Sequence, residues 1–193
     1  AVTVTFAPVA VQVYGGTVTV QTDATSGGNT ATASGAGVVA GSLTLGAALD
    51  QPDWTWTTGG NAGWIAQDDA MHDGVDAAQS GDIADSQTSW LQTTVVGPGT
   101  LSFWWRVSSE QDWDYLKFSI DGQEQSGAIS GSPAWQQKTY TLASGTHTLK
   151  WNYIKDGSVS SGSDGGWVDQ VVFTASGGGG GGGGRFRALS FDL

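Results

Sequence analysis

Cysteine is absent from this 193-residue chain, and with it go disulfides, thiolate catalysis and cysteine-ligated zinc. Positive charge is nearly as scarce. Seven Lys and Arg stand against 18 Asp and Glu, for a net charge of −11, and none of the seven precedes Arg106. Nucleic acid and anionic membrane surfaces both need clustered basic side chains, so neither is an expected partner. No apolar run approaches the roughly 20 residues that cross a bilayer, and no window sustains a helical period. The chain starts at Ala1 rather than Met, so a processed chain or a piece of something longer is expected.

What is present is β-forming. Charged residues make up only 13% of the chain, against 31 glycines and ten tryptophans among many Thr and Ser. That balance points to an extracellular or cell-surface protein. The segments VTVTF (2–6), GTVTVQT (16–22), LSFWWRV (101–107), YLKFSID (115–121), THTLKWNY (146–153) and WVDQVVF (167–173) alternate or run β-rich. Gly, Asn, Asp and Pro punctuate them at sandwich-like intervals. Asp121-Gly122 is a two-residue hairpin signal. The expected class is all-β.

A composition break near residues 33–42 divides the chain. Residues 1–38 hold Thr/Val strands joined by FAPVAVQVYGG and DATSGGNT. With TVTFAP, GTVTV and a terminal SGAG, they resemble the closing strands of the immunoglobulin-like repeats of large bacterial surface proteins. The match covers only the last part of such a repeat. Two or three strands cannot bury a sandwich core alone, so this segment is expected to be incomplete or completed by another chain. Residues 43–174 carry SWLQTTVVGPGTLSFWWRVSS and GGWVDQVVF, which resemble MAM and laminin-G-like modules of the concanavalin-A-like jelly-roll type. The resemblance implies an antiparallel jelly-roll β-sandwich, and adhesion or glycan binding rather than catalysis. After it come a glycine linker (177–184) and a strand-like tail (185–193).

Strand alternation separates a core face from an outer face. Leu101, Phe103, Trp105 and Val107 share the first, as do Leu116, Phe118 and Ile120, and Leu149, Trp151 and Tyr153. If the strands are neighbours, Trp104, Arg106, Tyr115, Lys117, Lys150 and Asn152 share the second. Aromatic rings interleaved with donors suit a sugar; the same rings would equally pack under a loop or a neighbouring domain. The acids form three groups: eight Asp between Asp50 and Asp85, then Glu110, Asp112 and Asp114, then Asp156, Asp164 and Asp169. Hard oxygen donors on loops suit Ca²⁺, with Glu110, Asp112, Asp114 and Asp164 as the expected ligands. A plain solvated acidic surface is the alternative.

EQDWD (110–114) approximates the Glu-x-Asp-x-Glu triplet of jelly-roll endoglucanases. Asp114 replaces the second Glu, one methylene short of the carboxyl spacing that retaining chemistry uses. His72 and His147 have no triad partner at a telling spacing, so no catalytic residue is expected. In the tail, Phe186, Ala188, Phe191 and Leu193 form an apolar side suited to strand donation. The leading expectation is a non-enzymatic structural subunit that self-associates through its ends, as an open filament if head-to-tail. A monomeric adhesin or carbohydrate-binding module that takes a polysaccharide comes second, and a jelly-roll glycosidase third.

Overall fold

The computed structural model describes residues 13–19, 30–36 and 43–176. The chain divides into two units, Ala1–Thr44 and Leu45–Leu193. In the first, strands β1 (Val13–Thr19) and β2 (Thr30–Ala36) pair antiparallel, with Val13 opposite Ala36 and Thr19 opposite Thr30. The expected strand over 2–6 and the tail residues Phe186, Ala188, Phe191 and Leu193 lie outside the described residues.

The second unit opens with a single helical turn, α1 (Leu45–Ala48), and is otherwise β. Its strands are β3 (Thr57–Gly60), β4 (Ile65–Gln67), β5 (Ala77–Gln79), β6 (Thr88–Ser108), β7 (Tyr115–Ile120), β8 (Gln123–Glu124), β9 (Gln136–Ile154) and β10 (Gly165–Ala175). All pair antiparallel in one continuous hydrogen-bonded sheet, ordered β4-β5-β10-β6-β9-β7-β8, with β3 on β6. Gly97-Pro98 reads as a strand terminator, yet β6 runs through it and pairs with β9 on both sides, with a register shift between Gly97 and Gly99.

That shift is where the sheet folds over. Along the β6–β9 ladder, Trp151 lies opposite Leu91 and Phe103 opposite Lys138. In a flat sheet, the twelve residues from Leu91 to Phe103 would hold Phe103 and Trp151 about 40 Å apart, at about 3.3 Å per residue. Their rings instead meet edge-on, centroids 5.1 Å apart. The ribbon therefore doubles back and packs its two halves face to face. One layer holds β3, residues 88–97 of β6, residues 145–154 of β9, β7 and β8. The other holds residues 136–142 of β9, residues 99–108 of β6, β10, β5 and β4. Glycine permits the fold: a Cβ on Gly97 would run into the Ala143 carbonyl, and Gly145 has φ +125°.

The core between the layers follows the alternation read from the sequence. Leu101, Phe103, Trp105, Val107, Leu116, Phe118, Leu149, Trp151 and Tyr153 are all buried. The Asp121-Gly122 turn has φ +53° and +79°, as a type I′ hairpin requires, and it joins β7 to β8.

The same turn holds a histidine. His147 Nδ1 lies 2.7 Å from Asp121 Oδ2, and its Nε2 lies 3.0 Å from the Ala143 carbonyl. The bond to Asp121, then that carbonyl, raise the imidazole pKa above its ordinary value. The pair's stabilisation is therefore complete below the unfolded pKa of about 6.5 and is lost as pH rises through the folded value. An NMR titration should place the His147 midpoint above 6.5 in the native protein and lower in Asp121→Asn. A native midpoint at or below 6.5 would show that the pair does not form in solution.

Candidate functional site

The expected sugar face needs β6 and β7 side by side, and β9 lies between them. Trp104 and Arg106 stand on the half of β6 that pairs with β10, whereas Tyr115, Lys117, Lys150 and Asn152 stand in the β7–β9 layer. The layers pack inward through Phe103, Phe118 and Trp151, so these two outward sets face away from each other. The single six-residue face is thus corrected to two separate ones. The short connection over 109–114 resembles a hairpin loop, but it crosses from one layer to the other.

Neither half leaves its aromatics free. In the β7–β9 layer, Lys150 Nζ sits 4.8 Å from the centroid of Trp90, whose ring packs against bare Gly59. Lys117 sits 5.8 Å from the Tyr115 ring centroid and pairs with Glu124 at 3.1 Å. Half-buried Asn152 lies between, opposite Lys117 on one side and Trp90 on the other. On the opposite face, His72 stacks on Trp104 at 3.8 Å between centroids, and Arg106 lies 5.6 Å from the ring of buried Trp167. His72 comes from the β4–β5 loop, where its N–H donates to Asp169 Oδ2 at 2.6 Å and its Nδ1 meets Gln170 Oε1 at 2.6 Å.

The exposed chemistry gathers at one end of the sandwich. Asp156 N–H donates to Asp114 Oδ1 at 2.9 Å, and Ser163 N–H to Ser108 Oγ at 2.9 Å. Lys155 N–H donates to the Gln87 carbonyl at 3.1 Å, Ser86 N–H to the Asp156 carbonyl, and Ser109 N–H to the Gly131 carbonyl at 2.8 Å. These bonds tie residues 85–87, 108–114, 130–131 and 155–164 into one loop cluster. At its surface stand Trp113, 61% exposed, and Val159, 55% exposed. Among the described residues Trp113 is the one exposed tryptophan. Val159 has φ +65°, a left-handed conformation that a β-branched residue adopts only at a cost.

Beneath them the electrostatics are uneven. The Lys155 side chain is fully buried and pairs with Asp164, with Asp85 at 3.3 Å and with Ser160 Oγ at 2.7 Å. Tyr153 O–H donates to Asp164 Oδ1 at 2.8 Å, and burial, then that carboxylate, push the phenol pKa upward. Of the expected calcium ligands, Glu110 and Asp114 come together, joined by Asp156, with one oxygen of each within 4.8 Å of the others. Asp164 leaves the set because Lys155 and Tyr153 hold it. Asp112 leaves it because it is exposed, its N–H bonded to Ser130 Oγ at 3.0 Å. Burial, then repulsion from Asp156, Asp114 and Asp85, raise the Glu110 pKa; burial is also the main cause of the rise at Asp114.

A second acidic group, Asp50, Asp73 and Asp169, lies elsewhere in the sandwich. Asp169 is fully buried, and its Oδ1 has no hydrogen-bond partner. Burial, then repulsion from Asp73, raise the pKa of Asp50 and Asp76.

No family profile and no curated protein matches this sequence. Solved structures do resemble it. The secreted serine protease VesC from Vibrio cholerae is 12% identical over 76% of this chain and 30% of its own, with a TM-score of 0.54. The K1 cleaved adhesin domain of Lys-gingipain from Porphyromonas gingivalis W83 is 17% identical over 65% and 95% of the two chains, with a TM-score of 0.47. TmCBM61, in complex with β-1,4-galactotriose, is 13% identical over 70% and 97% of the two chains, with a TM-score of 0.44. The VesC likeness speaks to fold alone. The present chain spans about a third of the VesC chain, at 30%.

The sequence pattern did not single out Trp113, and it placed Asp156, Asp50, Asp73 and Asp169 among the acid groups without making them expected ligands. The DWD context of Trp113, polar on both sides within a loop, was the available signal for the first. For the others the signal was weak, because residues distant in the chain supply their partners.

Proposed function

We propose that the sandwich is a non-enzymatic, extracellular glycan-binding module of adhesin type, with Trp113 as its stacking platform. The observation that carries this reading is Trp113 itself, an indole 61% exposed in a chain whose other tryptophans are buried or half-buried. An exposed ring offers a flat apolar face to the C–H side of a sugar, while neighbouring polar groups take its hydroxyls. Gln111, Asp112 and Ser130 provide such groups on the same loops. The acidity of this end favours a neutral polysaccharide over an anionic one.

The resemblance of residues 89–109 and 165–173 to MAM and laminin-G-like modules points the same way. Against a glycosidase stands the form of the acidic triplet. Glu110, Asp112 and Asp114 lie in a turn, with Asp114 buried and Asp112 exposed at φ +66°, rather than aligned on one face of a strand. The strand-donating subunit rests on a tail that lies outside the described residues, and no observation favours it over this reading.

The test is a panel of neutral polysaccharides read by affinity electrophoresis and calorimetry. Trp113→Ala should weaken binding about 30-fold or more, the scale of a hot-spot aromatic, with an unchanged melting temperature. Equal binding by Trp113→Ala and the native protein, or no binding by the native protein, would overturn the reading.

A further inference from the structure

We propose that Glu110, Asp114 and Asp156 hold a calcium ion at the base of the Trp113 turn. The site is built from two segments brought together by the fold: the β6–β7 connection supplies Glu110 and, as its last residue, Asp114, while Asp156 follows β9. One carboxylate oxygen from each lies within 4.8 Å of those from the other two. Ligands on opposite sides of Ca²⁺ stand roughly 4.6–5.2 Å apart, at about 2.3–2.6 Å from the ion. The spacing of the three oxygens is of the order that one such ion spans.

The independent sign of a missing ligand is Asp114. It is 0% exposed. Its Oδ1 accepts the Asp156 N–H at 2.9 Å, but its Oδ2 is buried with no hydrogen-bond partner among the described residues. A buried carboxylate oxygen left unpaired is costly, and a bound cation removes that cost. The local charge is also unbalanced. Glu110, Asp114, Asp156, Asp85 and Asp164 act on one another around Lys155, five carboxylates against one ammonium. That ammonium is already engaged by Asp85 and Asp164.

The chemistry of the donors selects the ion. All three are hard oxygens, which disfavours zinc and copper. Carboxylates gathered from irregular loops suit the variable coordination of Ca²⁺ better than the near-ideal octahedron of Mg²⁺. The ion would pin the turn that carries Trp113. The proposal stands without the glycan reading, because metal binding is measured with no polysaccharide present.

The experiment titrates CaCl₂ into the chelator-stripped full chain by calorimetry and follows the melting temperature with and without Ca²⁺. Glu110 and Asp156 are less buried than Asp114, so Glu110→Gln and Asp156→Asn are the variants of choice, with Asp73→Asn as the control from the other acidic group. A calcium-binding event is expected in the native protein, with a rise in melting temperature. Glu110→Gln and Asp156→Asn should weaken that event at least about tenfold, a loss of about 1.4 kcal/mol, while melting without metal no lower than the native chain. Asp73→Asn should keep it. No calcium binding in the native protein, native affinity in both variants, or an event lost only in Asp73→Asn would each overturn the proposal. Equal affinity for Mg²⁺ would overturn the choice of ion.

Discussion

Replacing Trp151 with alanine should destabilise the sandwich by about 3–5 kcal/mol, the range for truncating a large buried aromatic. Trp151 is 0% exposed and lies where the folded ribbon closes on itself. Its ring centroid is 4.9 Å from Phe118 in its own layer, 5.1 Å from Phe103 in the facing layer and 6.0 Å from Trp56. Its Nε1 has no hydrogen-bond partner among the described residues, so the loss comes from apolar contact and the cavity left between layers. Denaturant unfolding of the two proteins measures it. A difference below about 1 kcal/mol would mean that the ribbon does not close on this ring.

Lys155→Met should cost about 3 kcal/mol near neutral pH, at the low end for stranding a buried charge. The low end applies because Asp164 and Asp85 keep 19% and 42% of their side chains exposed. Burial alone would raise the Asp164 pKa, but hydrogen bonds from Lys155 and Tyr153 outweigh it and hold the carboxyl below its ordinary value. Burial alone would lower Lys155, and Asp164 and Asp85 outweigh that as well, leaving its pKa raised. The pair therefore stabilises fully above the unfolded aspartate pKa of about 3.9 and below the unfolded lysine pKa of about 10.4. Its contribution is lost as pH falls through the lowered carboxyl value, or rises through the raised ammonium value. Stability measured against pH for both proteins should show a flat deficit across that window and a shrinking one below it. A deficit under about 1 kcal/mol throughout would show that the carboxylates find adequate solvation without Lys155.

Local pattern determined the strand segments 101–107, 115–120, 146–153 and 167–173, their buried sides and the Asp121-Gly122 turn. Side chains on a strand alternate, and a two-residue turn with positive φ at both positions has few solutions. The apolar identity of Phe103, Trp105, Phe118 and Trp151 was enough to place them inside. It was not enough to say which strands neighbour one another. A six-residue connection between β6 and β7 is as compatible with a crossing between layers as with a hairpin, and that ambiguity produced the single sugar face now divided in two.

The site shows the same limit. Glu110 and Asp114 were legible because four residues and one turn hold them together. Asp156 joins them only through its N–H bond to Asp114, 42 positions away. Trp104 and Trp113 look alike in sequence, each beside another polar or aromatic residue. His72, brought by a distant loop, covers a face of the first, while the second remains open at the loop end. The sequence by itself determined the β class, the acidic character and the inward set of side chains, because each depends on residues near in the chain. Only the tertiary structure decided which tryptophan meets solvent and which carboxylates share a space, because burial and charge repulsion act through distance in space rather than along the chain.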